Sequence, residues 1–225
     1  EDGRGGGRIL SIKFMIEIIP TILVKNFKEF QNTVKKIEKD FSIAHIDVMD
    51  GNFVSNTTFF DVEKIKGIKT PLEYELHLMV ENPETYIERV KNFSKIKKIL
   101  FHVESVFDPM EISKKIQKAG KKSFVVFNPE TEIETMEKYI SCVDGIMLMG
   151  VHPGFSGQEF IEETIDTIKK LRAMNAKIPI EIDGGVSDAN AKNLIMAGAT
   201  ILAVGSFIYK DKPAIQREKI LKSMM

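Results

Sequence analysis

His45 and Asp47 stand two residues apart in the segment Ser42-Ile43-Ala44-His45-Ile46-Asp47-Val48-Met49-Asp50-Gly51. Side chains alternate along a β-strand, so an imidazole and a carboxylate at this spacing share one face while Ile46 and Val48 take the other. Such a pair can grip a metal ion, and buried without a partner it would carry a large desolvation cost. Further ionisable groups stand at the ends of other apolar runs: His77, His102 with Glu104, and Asp183. All four histidines, His152 included, fall at strand ends or in the loops just after them, where chance would scatter some over helices. Two histidines and two aspartates around one cavity form a divalent-metal site that suits Zn²⁺, Fe²⁺, Mn²⁺ or Co²⁺ without separating them.

A second constellation is rich in glycine. Gly154, Phe155, Ser156 and Gly157 lie in one loop, Gly184 and Gly185 follow Asp183, and Gly205-Ser206 follows a later apolar run. Glycine permits close backbone approach, and its N–H groups can be turned toward an anion. Three such loops together point to phosphate. Met49, Met79, Met147 and Met149 also sit at or near strand ends; they read as barrel-layer residues that could wall a polar intermediate away from water.

These groups need elements to position them. Apolar runs at 15–20, 43–48, 72–79, 97–103, 122–127, 143–148, 178–183 and 200–204 read as eight strands. Between them, helical periodicity covers Phe27 to Ile37, Val62 to Ile68, a helix opened by Asn82-Pro83, one from Asp108-Pro109 to Gly120, one capped by Thr131, Glu159 to Met174, Ser187 to Ala197, and a final helix from Lys212. Eight alternating β/α units, spaced roughly 25–30 residues apart, argue for a single (β/α)8 TIM barrel over residues 15–225. An open doubly wound sheet is the alternative, but Pro20-Thr21-Ile22-Leu23 stands where its Gly-rich turn belongs. Residues 1–14 are Gly-rich and polar, and read as a flexible leader or appended remnant.

Composition narrows the function. The 225 residues carry 32 Lys+Arg and 32 Asp+Glu, so nothing draws the chain to nucleic acid or an anionic membrane. No apolar stretch is long enough to span a bilayer. One cysteine, Cys142, excludes an internal disulfide. The default location is cytoplasmic.

At this point the sequence resembles the ribulose-phosphate 3-epimerase family. The resemblance rests on His-Ile-Asp-Val-Met-Asp-Gly-Asn-Phe-Val at 45–54, His-Leu-Met-Val at 77–80, Asn-Pro-Glu-Thr at 128–131, Val-His-Pro-Gly-Phe-Ser-Gly-Gln-Glu-Phe at 151–160, Ile-Asp-Gly-Gly-Val at 182–186, and Gly-Ala followed by Val-Gly-Ser within 198–206. It implies one divalent metal held by His45, Asp47, His77 and Asp183, with Asp47 and Asp183 also acting as the acid–base pair on opposite faces of a sugar phosphate. The reaction would interconvert D-ribulose 5-phosphate and D-xylulose 5-phosphate through a metal-stabilised enediolate. Substrate contacts would come from Thr21, Met49, His77, Met79, Met149, Gly154, Phe155, Ser156, Gly157, Gly184, Gly185, Gly205 and Ser206, and a homo-oligomer is expected. Alternatives are a 3-epimerase of a six-carbon ketose phosphate such as D-allulose 6-phosphate, and a phosphosugar-binding barrel without catalysis. A related decarboxylase or aldolase would carry Asp-x-Lys-x-x-Asp on the third strand, which here reads Glu75-Leu-His77-Leu-Met-Val80.

Three departures stand out. Thr21 replaces the family's usual Ser, Ser55-Asn56 replaces Pro-Asn, which would loosen that loop, and Glu75 stands where Asp is common. On the sequence none of the three is expected to touch a metal ligand. Asp50 has the opposite strand parity to Asp47 and reads as a loop-shaping residue.

Overall fold

The computed structural model describes residues 15–210 and 213–223. The 1–14 leader and Lys212, the expected start of the last helix, lie outside the described residues. Eight parallel strands close into a barrel in sequence order: β1 (Glu17–Ile22), β2 (Ile43–Met49), β3 (Glu73–Met79), β4 (Ile96–His102), β5 (Lys122–Phe127), β6 (Gly145–Met149), β7 (Ile180–Asp183) and β8 (Ile201–Val204). β8 pairs back onto β1 with Glu17 beside Ile201.

Strand parity divides two cores. Ala44, Ile46 and Val48 of β2, with Leu76 and Leu78 of β3, join the large apolar cluster between barrel and helices. The inward residues are split by chemistry. Ile19, Leu100, Phe124, Val126, Met147 and Ile201 fill part of the barrel with hydrocarbon. His45, Asp47, Glu75, His77, Lys98, His102, Glu181 and Asp183 are all buried as well, so a polar wedge drawn from β2, β3, β4 and β7 faces that hydrocarbon.

The helices cover the outer face, each with a local reason to start. In α1 (Phe27–Ile37), Phe30, Val34 and Ile37 recur at helical spacing and are buried, and Asn26 caps the start by accepting from Glu29 N–H. Asp61 caps α2 (Val62–Lys66) in the same way. Pro83 and Pro109 open α3 (Pro83–Val90) and α4 (Pro109–Lys118), where a missing N–H costs nothing. α5 (Ile133–Glu137) has Glu132, not Thr131, at its N-cap and no side-chain cap bond. The Thr131 hydroxyl is engaged elsewhere, donating to Glu104. α6 (Glu163–Met174) starts four residues later than its periodicity suggests, because Ile161 N–H is tied to Gly150 O at 2.8 Å. α7 (Ala191–Ala197) is likewise shortened by a turn in which Asn190 Oδ1 accepts from Ser187 N–H. A short α8 (Ser206–Tyr209), not expected from the sequence, follows β8, and α9 (Ala214–Lys222) closes the described chain. No helix among the described residues is long and apolar enough to cross a membrane.

Close packing inside the barrel sets one sharp constraint. A Cβ on Gly145 would lie 2.2 Å from Phe124 Cζ. Gly145→Ala is therefore expected to lower stability by roughly 1–3 kcal/mol through overpacking. A denaturant midpoint that falls at unchanged slope would show it; an unchanged midpoint would mean that Phe124 yields freely.

Candidate active site

The registers bring the candidate groups together. Asp47 is level with His77 and His45 with Glu75 across β2–β3, while Met149 is level with Asp183 across β6–β7. His77 Nδ1 lies 3.1 Å from Asp47 Oδ1 and 3.4 Å from Asp183 Oδ2. His45 Nε2 lies 3.3 Å from Asp47 Oδ1 and 3.9 Å from Asp183 Oδ2. One ligand atom from each of the four residues falls within 4.8 Å of the others.

Two observations make this a fit for a cation. His45 Nε2 is buried with no hydrogen-bond partner among the described residues, which a satisfied core histidine would not show. Its other nitrogen, Nδ1, is taken by Glu75 Oε1 at 2.6 Å; that fixes the tautomer with Nε2 aimed at the carboxylates. The field agrees. Burial alone would raise the Asp47 pKa, but the bonds and charges of His45 and His77 hold its carboxyl well below the usual range. Burial opposes a proton on His45, yet Asp47, Glu181 and Glu75 hold its pKa well above the ordinary value. An anionic field that retains protons on imidazoles is one a divalent ion can satisfy by displacing them.

Glu75 is therefore not remote from the candidate ligands, contrary to the sequence expectation. The glutamate side chain reaches His45 and also pairs through Oε2 with Lys98 Nζ at 2.5 Å. Lys98 bonds Glu181 Oε2 at 2.9 Å, and Glu181 Oε1 stands 3.5 Å from His45 Nδ1. Burial works against the ionised Glu75, but Lys98 and His45 bring its pKa down to about 2. Sequence reading passed over Lys98 and Glu181 entirely. Inward parity two residues before Asp183, and on the strand paired with Glu75, was the available signal.

On the other side, His77 Nε2 lies 2.8 Å from His102 Nε2, with the ring planes 20° from parallel. Burial first, and the His77 charge, push the His102 pKa to about 4 against the pull of Glu104. His102 is thus neutral and accepts the His77 N–H, while its Nδ1 stands 3.5 Å from Glu104 Oε2. Glu104 is in turn held by Asn128 N–H at 3.0 Å and the Thr131 hydroxyl.

Above the cluster opens a cavity of about 190 Å³. It is lined by Thr21, Asp47, Met49, Met79, Met149 and Asp183 on the strands. Gly154, Phe155, Ser156 and Gly157 line it from the β6–α6 loop, Gly184 and Gly185 from the β7–α7 loop, and Gly205 and Ser206 after β8. His77 does not line it: its side chain is fully buried behind Asp47. Tyr209, missed in the sequence because α8 was not foreseen, does line it and donates to Thr21 O at 2.8 Å. Gly154, Gly157, Gly184 and Gly185 all have positive φ, between 68° and 122°. Gly185 shows why only glycine serves, since a Cβ there would press on Phe160 Cα at 2.9 Å. His152 stays at the rim, exposed and paired with Glu130 at 2.7 Å. Asp50 shapes the β2–α2 loop, its carboxylate accepting from the N–H groups of Asn52, Phe53 and Glu81.

Comparison with known proteins places this arrangement. A family model, the ribulose-phosphate 3 epimerase family, matches residues 17–209. A ribulose-phosphate 3-epimerase of Bacillus subtilis is 36% identical over 204 residues, covering 87% of this chain and 93% of the relative. One from Aquifex aeolicus is 36% identical over 188 residues, covering 81% and 84%. Among solved structures, 3-hexulose-6-phosphate synthase of Salmonella typhimurium superposes with a TM-score of 0.66 at 16% identity, covering 93% of this chain and 98% of that one. At that identity the likeness is one of fold.

Proposed function

This chain belongs to the ribulose-phosphate 3-epimerase family and is an isomerase, and on that premise we propose that it interconverts D-ribulose 5-phosphate and D-xylulose 5-phosphate by moving a proton at C3. The observation that carries the proposal is the placing of Asp47 and Asp183. They are the acidic residues that line the cavity, and both lie against one imidazole nitrogen of His77.

Inverting a carbon beside a carbonyl requires a proton removed from one face and another delivered to the opposite face. One carboxylate takes the C3 proton while the C–H electron pair moves toward the carbonyl oxygen; the other, protonated, returns a proton from across the ring of contacts. In reverse the two exchange roles. His45 and His77 hold the Asp47 carboxyl below the usual range, so it stands ionised in the site. His45, Asp47, His77 and Asp183 would hold a divalent ion, Zn²⁺, Fe²⁺, Mn²⁺ or Co²⁺, whose chemistry is to offset negative charge developing on the substrate oxygens. Glu75 and His102 hold the two imidazoles so that one nitrogen of each faces the carboxylates. Met49, Met79 and Met149 present apolar surface at the cavity floor, which excludes water and strengthens the local field. The phosphate binds the turned glycine backbone of the β6–α6 and β7–α7 loops together with Gly205-Ser206 after β8, and this remote contact fixes which face of C3 meets which acid.

The test is metal analysis combined with kcat/KM for D-ribulose 5-phosphate and D-allulose 6-phosphate, before and after chelation. We expect the pentulose to be preferred and activity to be lost on chelation and restored by a divalent ion. Preference for the hexulose would reassign the substrate, and full activity after verified metal removal would sink the metal assignment.

A further inference from the structure

Asn56 lies outside the cavity wall yet joins three active-site loops. Its Nδ2 donates to Gly154 O at 2.6 Å, across to the β6–α6 loop. Its Oδ1 accepts from Lys25 Nζ, which follows β1, and from Thr57 N–H at 2.9 Å. Lys25 Nζ also donates to Thr57 O at 2.6 Å. The lysine thus commits the amide: with a cation on the oxygen end, only the NH₂ end is left for the Gly154 carbonyl.

The platform under Asn56 is stiff. Thr58 Oγ1 donates to Asp47 O at 2.7 Å and accepts from Met49 N–H at 2.9 Å, and Asp50 ties Asn52, Phe53 and Glu81. Asp50 and Thr57 also form an antiparallel bridge. Val54 is packed beneath Gly154, where an added Cβ would sit 3.3 Å from Val54 Cβ. The β6–α6 loop itself has few outside ties. Gln158 bonds His152 O and Phe155 O within the loop. Among the described residues, the rim pair His152–Glu130 is the other polar contact from outside to residues 152–157.

We infer that Asn56 is a positioning residue for the substrate phosphate, holding the Gly154 carbonyl outward so that the backbone N–H groups that follow stay turned into the cavity, with Lys25 orienting its amide. This rests on the phosphate reading of the glycine loops. Asn56 is common to the usual Pro-Asn and to Ser55-Asn56, so the departure at Ser55 leaves the residue that reaches Gly154 O in place.

Removing one hydrogen bond of this kind should cost roughly three- to tenfold in phosphate affinity. The experiment compares wild type with Asn56→Ala, Asn56→Asp and Lys25→Met, each checked for an unchanged circular dichroism spectrum and loaded with the same metal. KM for the ketose phosphate and Ki for inorganic phosphate should rise together by that factor in Asn56→Ala and Asn56→Asp, with kcat within about twofold. Lys25→Met should move both in the same direction by less. Metal affinity should not change in any of them. If wild type is inhibited by inorganic phosphate but Ki in the Asn56 variants is unaltered, the positioning role is wrong while the phosphate site stands. If inorganic phosphate does not inhibit wild type and the dephosphorylated ketose is used equally well, both readings fall. A loss confined to kcat, or a drop in metal affinity, would also overturn the inference.

Discussion

Asp47→Asn and Asp183→Asn are each expected to lower kcat by roughly 10²–10⁴-fold and to erase solvent deuterium uptake into the C3-inverted ketose phosphate. The amide is nearly isosteric with the carboxylate, so packing in the buried cluster is kept while the proton-accepting group is lost. Both residues are also proposed ligands, and the measurement must separate the two roles. Metal content is therefore brought to saturation first, and exchange is followed separately from turnover. If Asp47 serves one face of C3 and Asp183 the other, each single variant can still approach the substrate from its intact side. Exchange from that side alone, without epimerised product, would be the informative partial outcome, assigning a face to each acid. Wild-type-like epimerisation by either metal-loaded variant would remove that residue from proton transfer.

Lys98→Met is expected to destabilise the fold by about 3–5 kcal/mol, the usual result of stripping one partner from a buried ionic group. Lys98 is 5% exposed and sits between Glu75 at 2.5 Å and Glu181 at 2.9 Å, with its ammonium 4.4 Å from the centre of the Phe124 ring. Burial would lower its pKa, but the two carboxylates hold it well above the ordinary lysine value. Burial and the neighbouring Glu75 charge already raise the Glu181 pKa with the lysine present. Without it, two buried acids face each other inside the barrel, and one must take a proton or draw in water. The double variant Lys98→Met/Glu181→Gln removes that repulsion and should recover part of the loss, read as a coupling energy in denaturant titrations. A single variant within about 0.5 kcal/mol of wild type would show that the trio is balanced some other way. Because Glu75 also holds His45, Lys98→Met should weaken metal binding as well, and competition against a chelator measures this apart from stability.

Local chemistry in the sequence determined a great deal. Alternation along a strand put His45 with Asp47 and set Asp50 apart from them, and the carboxylate of Asp50 does bind loop N–H groups. Recurring apolar runs separated by amphipathic stretches were enough for an eight-fold β/α barrel, because parallel strands buried on both faces must read as hydrocarbon. Glycines in three late loops marked the cavity rim, and in the β6–α6 and β7–α7 loops positive φ is what leaves that trace in residue type. What tertiary structure alone decided is reach and register. The level pairing of Asp47 with His77 and of Met149 with Asp183 depends on how separate strands slide against one another, which no single strand records. Glu75 looked like a neutral change from a shorter acid. Its extra methylene spans a distance, to His45 on one side and Lys98 on the other, that exists only once β2, β3 and β4 are side by side. Tyr209 entered the cavity wall through a helix of one turn, too short for periodicity to reveal. His45 and Asp47 could be seen as a candidate ligand pair from spacing alone, but which nitrogen of His45 points at the two aspartates was settled by a glutamate thirty residues away in sequence and 2.6 Å away in space.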